Sequence, residues 1–212
     1  MLSASDLRRS VAGRVLWQDL SLVVSPGDRI AVTGPSGSGK SLFLRSLAGL
    51  DPLEGGDVLL DGRPQAQWAM PVYRSRVMYL PQRPAFGTGS VLEELRRPFG
   101  LKVHAQQTFR QADAEEWLIN MGRPVSFLEL DVSTLSGGEG QLLAVIRALL
   151  LKPSVLLLDE ATASLDPEAA RATEHLFSEW CAAIPGRALV WVSHDPAQRR
   201  RVADREFPVV PM

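Results

Sequence analysis

Short apolar runs and longer amphipathic segments alternate along this chain, a pattern typical of strands alternating with helices. The apolar runs predict strands over residues 16–24, 29–33, 57–60, 76–80, 155–158 and 188–192. Helical spacing predicts helices over residues 41–50, 140–151 and 167–182. Strands that alternate with helices usually form a mainly parallel sheet covered by helices, so the predicted fold class is α/β.

The pattern changes between about residues 90 and 131, where helical segments are interrupted at residues 98–100 and 122–124 by Pro and Gly. We predict a small helical subdomain over residues 90–133. The remaining residues, 1–89 and 134–212, are predicted to form the core of the same single domain, which spans 1–212.

Composition fits one globular domain, since 45% of the 212 residues are hydrophobic. The net charge is −1, and the 23 basic and 24 acidic residues are interspersed, so we expect no binding to nucleic acid. Cys181 is the single cysteine, which excludes an internal disulfide and favours a reducing compartment such as the cytoplasm.

Neither a signal peptide nor a membrane span is expected in this sequence. Charges at residues 6, 8 and 9 interrupt the N-terminus. The most apolar region, residues 142–158, is interrupted by Arg147 and Lys152 and is shorter than the ~20 residues that a spanning helix needs. Any role in transport is therefore expected to depend on a separate membrane subunit.

A glycine-rich loop between the second predicted strand and the first predicted helix matches the phosphate-loop (Walker A) pattern. Its residues, with the one that follows, are Gly34, Pro35, Ser36, Gly37, Ser38, Gly39, Lys40, Ser41 and Leu42. The glycines let backbone N–H groups surround a phosphate, and the helix adds its positive N-terminal end. Lys40 is predicted to neutralise the β- and γ-phosphates, and Ser41 to supply a hydroxyl to Mg²⁺.

Two acids follow the apolar run 155–158, at the end of a predicted parallel strand, where ligands commonly bind. Asp159 is suited to Mg²⁺ through water, and Glu160 to orienting or deprotonating an attacking water. Alone, such acids are more often an ordinary strand-to-loop junction. The phosphate loop upstream favours the functional interpretation.

A second potential anion site lies at Leu135-Ser136-Gly137-Gly138-Glu139, called here the signature segment, just before the predicted helix over 140–151. Ser136 is placed as a helix N-cap, and the two glycines expose backbone N–H groups. One chain offers no second triphosphate. The segment is therefore predicted to bind another anion, or a nucleotide held by a second copy of the chain.

These motifs, in this order, resemble the ABC ATPase family, whose signature is this Leu-Ser-Gly-Gly sequence about a hundred residues after the phosphate loop. The resemblance covers nearly the whole chain and implies a P-loop NTPase fold with an N-terminal antiparallel β part. It also implies a core similar to that of RecA. Gln82 resembles the loop glutamine that contacts Mg²⁺ or water and senses the membrane partner. His194 resembles the switch histidine that reaches the γ-phosphate, and 164–166 the dimer-contact loop.

Several positions depart from the family pattern. The adenine-stacking aromatic falls on Val11, so stacking is expected to be weak or to be supplied by Trp17 instead. Gly140 and Leu142 stand where polar or basic residues are more usual. The sequence ends 18 residues after His194, so the regulatory extension of some sugar importers is not expected. Two other histidines, His104 and His175, are expected on the surface or on a helix face.

The resemblance implies an ATP-hydrolysing subunit with ATP and Mg²⁺ as cofactors, acting as a head-to-tail dimer, expected to be a homodimer. Each ATP would lie between Lys40 on one chain and residues 136–138 on the other. A separate transmembrane permease would place the protein on the inner face of the cell membrane, and residues 84–95 resemble exporter-type and small bacterial iron-efflux subunits. The alternatives are a soluble ABC ATPase acting on nucleic acid or the ribosome, and a nucleotide-binding regulator that does not hydrolyse ATP.

Overall fold

The computed structural model describes residues 1–210, which form two sheets surrounded by helices. The strands are β1 (Leu2–Val11), β2 (Arg14–Val24), β3 (Arg29–Thr33), β4 (Gly55–Leu60), β5 (Arg63–Pro64), β6 (Val77–Leu80), β7 (Val155–Asp159), β8 (Ala188–Val192) and β9 (Arg205–Pro208). The α-helices are α1 (Lys40–Leu47), α2 (Met70–Arg76), α3 (Val91–Arg96), α4 (Gln111–Asn120), α5 (Gly137–Leu150), α6 (Pro167–Ala183) and α7 (Pro196–Val202).

The larger sheet is parallel throughout, with strand order β6-β7-β8-β3-β9. The smaller sheet, in the order β2-β1-β4-β5, is antiparallel. The α/β class and the N-terminal antiparallel part predicted from the sequence are confirmed.

Alternate residues of β7 pack on opposite faces of the parallel sheet. Leu156 and Leu158 join the hydrophobic cluster that includes α5 and α6, whereas Val155 and Leu157 join the cluster that includes α1 and the antiparallel sheet. All four are fully buried, so a shift of one residue in the register of β7 would exchange its two faces. This double burial explains why the strand reads as an unbroken apolar run.

The residues between β6 and α5 are mainly helical, as the sequence predicts, and include several short 3₁₀ turns beside α3 and α4. The two ends of this segment lie together, because the Val91 N–H donates to Leu130 O and the Val132 N–H donates to Gly89 O. The predicted boundaries at residues 90 and 133, and the division of the domain that they define, stay a prediction. Within residues 1–210, no helix combines the length and the apolar character needed to span a membrane.

Some elements differ from the sequence prediction. α5 begins at Gly137 rather than at residue 140, because Ser136 caps it. β1 and β9, as well as the short helices α2 and α7, were not predicted. β1 contains Ser, Asp and Arg on its exposed face, and β9 has a single large apolar residue, Phe207, so neither shows a long apolar run.

Candidate functional site

The candidate site lies where neighbouring parallel strands end. Gly34 directly follows β3, and Glu160 directly follows β7. Gln82 lies two residues after β6, and His194 two residues after β8. Since these four strands are adjacent in the sheet and parallel, the residues that follow them meet at the same edge.

The phosphate loop is held in its shape by glycine conformations that other residues rarely adopt. Gly34 has φ 141°, and a Cβ there would lie 2.2 Å from Val209 O, so no larger residue fits without movement of the backbone. Gly39, with φ 86°, precedes α1. The loop tip at residues 35–37 is exposed. It therefore presents backbone N–H groups at the N-terminal end of a helix, an arrangement that binds phosphate groups.

Lys40 is almost completely buried beneath this loop, although it carries a charge. Its ammonium donates hydrogen bonds to Gly34 O at 2.9 Å and to Pro35 O at 3.0 Å. Burial lowers the pKa of Lys40, and the nearby carboxylates of Glu160 and Asp159 oppose that shift. The side chain of lysine is flexible, but here its ammonium group is held at the loop by two carbonyl oxygens.

Asp159 is buried at the end of β7 between two hydroxyl donors. Ser41 Oγ donates to Asp159 Oδ1 at 3.1 Å, and the Tyr79 hydroxyl donates to Asp159 Oδ2 at 2.7 Å. Burial, together with the bond to Asp159, raises the pKa of the Tyr79 hydroxyl, which keeps it a proton donor. Tyr79 was not singled out from the sequence. The parallel pairing of β6 with β7 places its side chain close to the Asp159 carboxylate, and this pairing becomes visible only in the structure.

Ser41 and Asp159 supply the oxygen ligands that Mg²⁺ prefers. Within residues 1–210, no group of three or more His, Cys, Asp or Glu side chains is arranged to hold a metal ion. A site with few protein ligands is common for Mg²⁺, which usually keeps waters and takes further oxygens from substrate phosphates. The donor set is therefore compatible with Mg²⁺ bound together with a nucleotide.

Glu160 connects the residues predicted at the ends of β6 and β8. Gln82 Nε2 donates to Glu160 Oε2 at 2.9 Å, and His194 Nε2 lies 3.0 Å from Glu160 Oε1. Glu160 has φ 50°, in the left-handed region that non-glycine residues rarely adopt. Such conformations persist where neighbouring contacts over-determine them, and they are enriched at active sites. The structure thus brings together three residues that are far apart in the sequence.

The signature segment begins α5 with a capping box. The Glu139 carboxylate accepts hydrogen bonds from the Ser136 N–H at 2.9 Å and from the Ser136 hydroxyl at 2.6 Å. These bonds lower the pKa of Glu139. Gly138 passes close to the loop after β7, since a Cβ there would lie 3.0 Å from Ser164 O. In the described part of the chain, none of the hydrogen bonds of residues 136–139 reaches residues 34–42.

Trp17 cannot be the adenine-stacking ring in this structure, so the hypothesis that it substitutes for Val11 is wrong. The Trp17 side chain is only 1% exposed and packs edge-on against Phe43. Its Nε1 lies 2.7 Å from the point where a Cβ on Gly39 would stand. Val11 is 45% exposed at the end of β1, and weak adenine stacking at this position stays a prediction.

His104 was expected on the surface or on a helix face; it lies in a 3₁₀ turn, and the expected surface position is wrong. The side chain is 5% exposed and packs near Phe99, with ring centroids 6.4 Å apart. The 3₁₀ turn that carries it points the imidazole inward, and burial lowers its pKa. His175 lies on the exposed face of α6, 3.4 Å from Glu179, as expected.

Comparison with known proteins decides the family. Residues 17–163, more than half of the chain, match the model of the family described as ABC transporter. The chain belongs to the ABC transporter family. The resemblance inferred from the sequence is confirmed.

Relatives of this ABC protein include a probable anion import ATP-binding protein of Haloferax volcanii, 34% identical over 96% of this chain and 75% of that protein. Another is the Fe(3+) ions import ATP-binding protein FbpC of Streptomyces coelicolor, 33% identical over 97% of this chain and 58% of that protein. This ABC protein therefore spans little more than half of the second relative.

The fold also matches solved structures. A dimeric ATP-binding cassette in a post-hydrolysis state, bound to ADP and Pi, has a TM-score of 0.87 and 22% identity, covering 100% of this chain and 96% of that one. The P-loop NTPase fold of the ABC protein is confirmed.

The two departures after the signature have a packing explanation. A Cβ on Gly140 would lie 3.2 Å from the Phe86 ring, so glycine leaves room for this aromatic side chain. Leu142 is fully buried in the cluster that contains α5 and α6, where a basic residue would lack a partner. Both positions therefore serve the packing of α5 in this ABC protein.

Proposed function

We propose that this chain is the ATP-binding and ATP-hydrolysing subunit of an ABC transporter, which drives transport through a separate transmembrane permease. The observation that carries the proposal is the contact of Glu160 with both Gln82 and His194, beside Lys40 and Asp159. Neither alternative, a soluble nucleic-acid or ribosome ATPase or a non-hydrolysing regulator, is favoured by relatives named for import.

ATP is proposed to bind along residues 34–42, with Lys40 exchanging its two carbonyl partners for β- and γ-phosphate oxygens. Such exchange is favourable because charge-assisted bonds to phosphate are stronger than bonds to neutral carbonyls. Ser41 and Asp159 would hold Mg²⁺, with Gln82 contributing a ligand directly or through water. When bound, Mg²⁺ would supply positive charge that neutralises the charge developing on the phosphates during phosphoryl transfer.

Glu160 is proposed to orient the attacking water and to accept its proton. Gln82 and His194 hold the two carboxylate oxygens from opposite sides, and this fixes the direction in which the free lone pairs point. His194 is half exposed and can turn from Glu160 towards a γ-phosphate. The three side chains can thus position water and phosphate in line, which is the main requirement of phosphoryl transfer.

A second copy of the chain is proposed to complete each ATP site with Ser136, Gly137, Gly138 and Glu139. The capping box fixes the start of α5, so its first backbone N–H groups are preorganised for an anion. A head-to-tail pair with two-fold symmetry would place two such sites between the chains. Association with the permease would hold the dimer at the inner face of the membrane, and the net charge of −1 gives no support to nucleic-acid binding.

Glu160→Gln tests the hydrolytic step. This variant should bind ATP but lower kcat by about 10²- to 10⁴-fold, the range expected for loss of a general base. With ATP it should elute as a dimer in sizing chromatography. Glu179→Gln, on the exposed face of α6, is the matched control and should leave kcat unchanged. Hydrolysis at the wild-type rate by Glu160→Gln would refute the assignment.

Lys40→Ala tests the phosphate loop separately. It should lose ATP binding in equilibrium dialysis, because the loop then has no side-chain cation for the β- and γ-phosphates. Unchanged affinity would contradict the assignment of residues 34–42 as the phosphate-binding loop.

A further inference from the structure

A buried polar network lies directly behind Glu160 and His194. Gln198 Nε2 donates one hydrogen bond to Thr162 Oγ1 at 2.7 Å and another to Glu174 Oε1 at 2.8 Å. Gln198, Thr162 and Glu174 are each less than 10% exposed. They line a cavity of about 550 Å³ whose wall also includes Glu160 and His194.

The carboxylate of Glu174 is fully paired in this network. Arg201 Nε donates to Glu174 Oε2 at 2.8 Å, and Arg201 Nη2 donates to Glu174 Oε1 at 2.9 Å. The side-chain amide of Gln198 donates both of its protons, one to the Thr162 hydroxyl and one to the Glu174 carboxylate. A buried network with its partners in place is rigid, and loss of one member leaves the others unpaired.

This network joins the same two segments as the Glu160–His194 contact. Thr162 lies two residues after Glu160, in the loop between β7 and α6. Gln198 lies four residues after His194, in the short helix α7. The bond between Gln198 and Thr162 is thus a second connection between the loop that carries Glu160 and the segment that carries His194.

The second connection matters because the backbone conformation of Glu160 needs restraint from neighbouring residues. Its left-handed backbone, with φ 50°, costs free energy and persists only under restraint from its surroundings. At the start of the loop, the Glu160 N–H donates to Val192 O at 3.1 Å. Within the loop, the Ala163 N–H donates to Glu160 O at 3.0 Å. Downstream, Thr162 is held to α7 by Gln198.

We propose that Gln198 is a positioning residue for ATP hydrolysis, which fixes Glu160 relative to His194 through Thr162 and is itself oriented by Glu174. The inference rests on the proposed function, because it concerns the geometry of the same hydrolytic pair. Gln198 touches neither Glu160 nor His194 by hydrogen bond and acts through the loop. Its loss should therefore impair the chemical step and leave the grip of the phosphate loop on ATP intact.

Steady-state kinetics with the full chain tests this prediction. Gln198→Met keeps the length of the side chain but removes the amide, and should lower kcat by about 10- to 100-fold, as for loss of an outer positioning contact. KM and the Kd for ATP should change by less than about twofold, since ground-state binding is untouched. Gln111→Met is the matched control, because Gln111 also donates to a glutamate, Glu115, but on the exposed face of α4.

Charge exchange provides a stricter test. Gln198→Glu alone would place two carboxylates together and should reduce kcat at least as far as Gln198→Met. The double variant Glu174→Gln/Gln198→Glu restores one amide and one carboxylate with their positions exchanged, and should recover at least about tenfold of the lost kcat. A double variant no more active than Gln198→Glu would overturn the proposal. Thr162→Val should not lower kcat further when combined with Gln198→Met.

Amide hydrogen exchange separates this inference from the proposed function, because it needs no ATP turnover. Exchange at Glu160 and Ala163 should be about tenfold faster in Gln198→Met than in Gln111→Met, since the loop opens more readily. Equal exchange rates, or equal losses of kcat and ATP affinity, would overturn the positioning role. A wild-type chain that binds and hydrolyses no ATP would instead refute the proposed function while leaving the exchange result valid.

Discussion

Two adjacent glycines at the start of α5 have different surroundings and allow a matched test of the packing around the signature segment. A Cβ on Gly137 would meet nothing within 4 Å, whereas a Cβ on Gly138 would lie 3.0 Å from Ser164 O. Both residues belong to the helix, and neither has a positive φ. Replacement by alanine therefore has the same effect on backbone conformation at both positions and a different effect on packing.

The expected change in the free energy of unfolding combines two effects of alanine, one on the flexibility of the unfolded chain and one on packing in the folded chain. Alanine at a compatible glycine position raises the free energy of unfolding by about 0.4–1 kcal/mol, because the unfolded chain becomes less flexible. Overpacking costs about 1–3 kcal/mol where the neighbour cannot move. Ser164 O is backbone, and its turn is fixed because the Leu165 N–H donates to Thr162 O at 3.1 Å. Gly138→Ala should thus be about 1–3 kcal/mol less stable than Gly137→Ala.

Urea unfolding followed by circular dichroism measures this difference without nucleotide. A difference of this size corresponds to about 2–12 °C in Tm for a chain of this length. Differences below about 0.5 kcal/mol are too small to interpret. If the free energies of unfolding of the two variants agreed within that margin, the loop at Ser164 would not be packed on the start of α5. The wild-type chain is the reference for both.

Two further predictions concern the ionisable side chains. Arg45 donates two hydrogen bonds to Asp51, which lowers the pKa of Asp51 below its unfolded value, so this stabilisation is complete above about pH 4 and is lost as the pH falls further. Asp51→Asn should therefore be about 0.5–1 kcal/mol less stable than wild type by urea unfolding at pH 7, and this gap should narrow steadily as the pH falls below about 4; a constant gap would contradict the ion pair. Burial raises the pKa of the Cys181 thiol, so its reaction with a disulfide reagent at pH 8 should be at least about tenfold slower in the folded chain than in urea, and equal rates would contradict its burial.

The fold could be predicted where both faces of an element are buried. The run at residues 155–158 reads as a strand because its residues contact clusters on both sides of the sheet. β9 could not be predicted in this way, since only its pairing with β3 makes it a strand. Trp17 was misassigned for a related reason, because a sequence does not say which side of an antiparallel sheet packs against α1.

The residues of the candidate site could be chosen from motifs, but their convergence depends on the strand order. Gln82, Glu160 and His194 meet because β6, β7 and β8 are adjacent and parallel, and this order is a property of the whole sheet. The left-handed conformation of Glu160 has no signal in the sequence, since glutamate rarely adopts it.

The network behind the site was hidden from sequence reasoning because its residue types are normally exposed. Glutamine, glutamate and arginine on the helices α6 and α7 read as solvent-facing residues. Only burial in the folded chain distinguishes Gln198 and Glu174 from Gln111 and Glu115, which form the same kind of hydrogen bond on an exposed helix. Burial removes the competition of water for these bonds, so the same two residue types can hold a loop in place in one position and contribute little in the other.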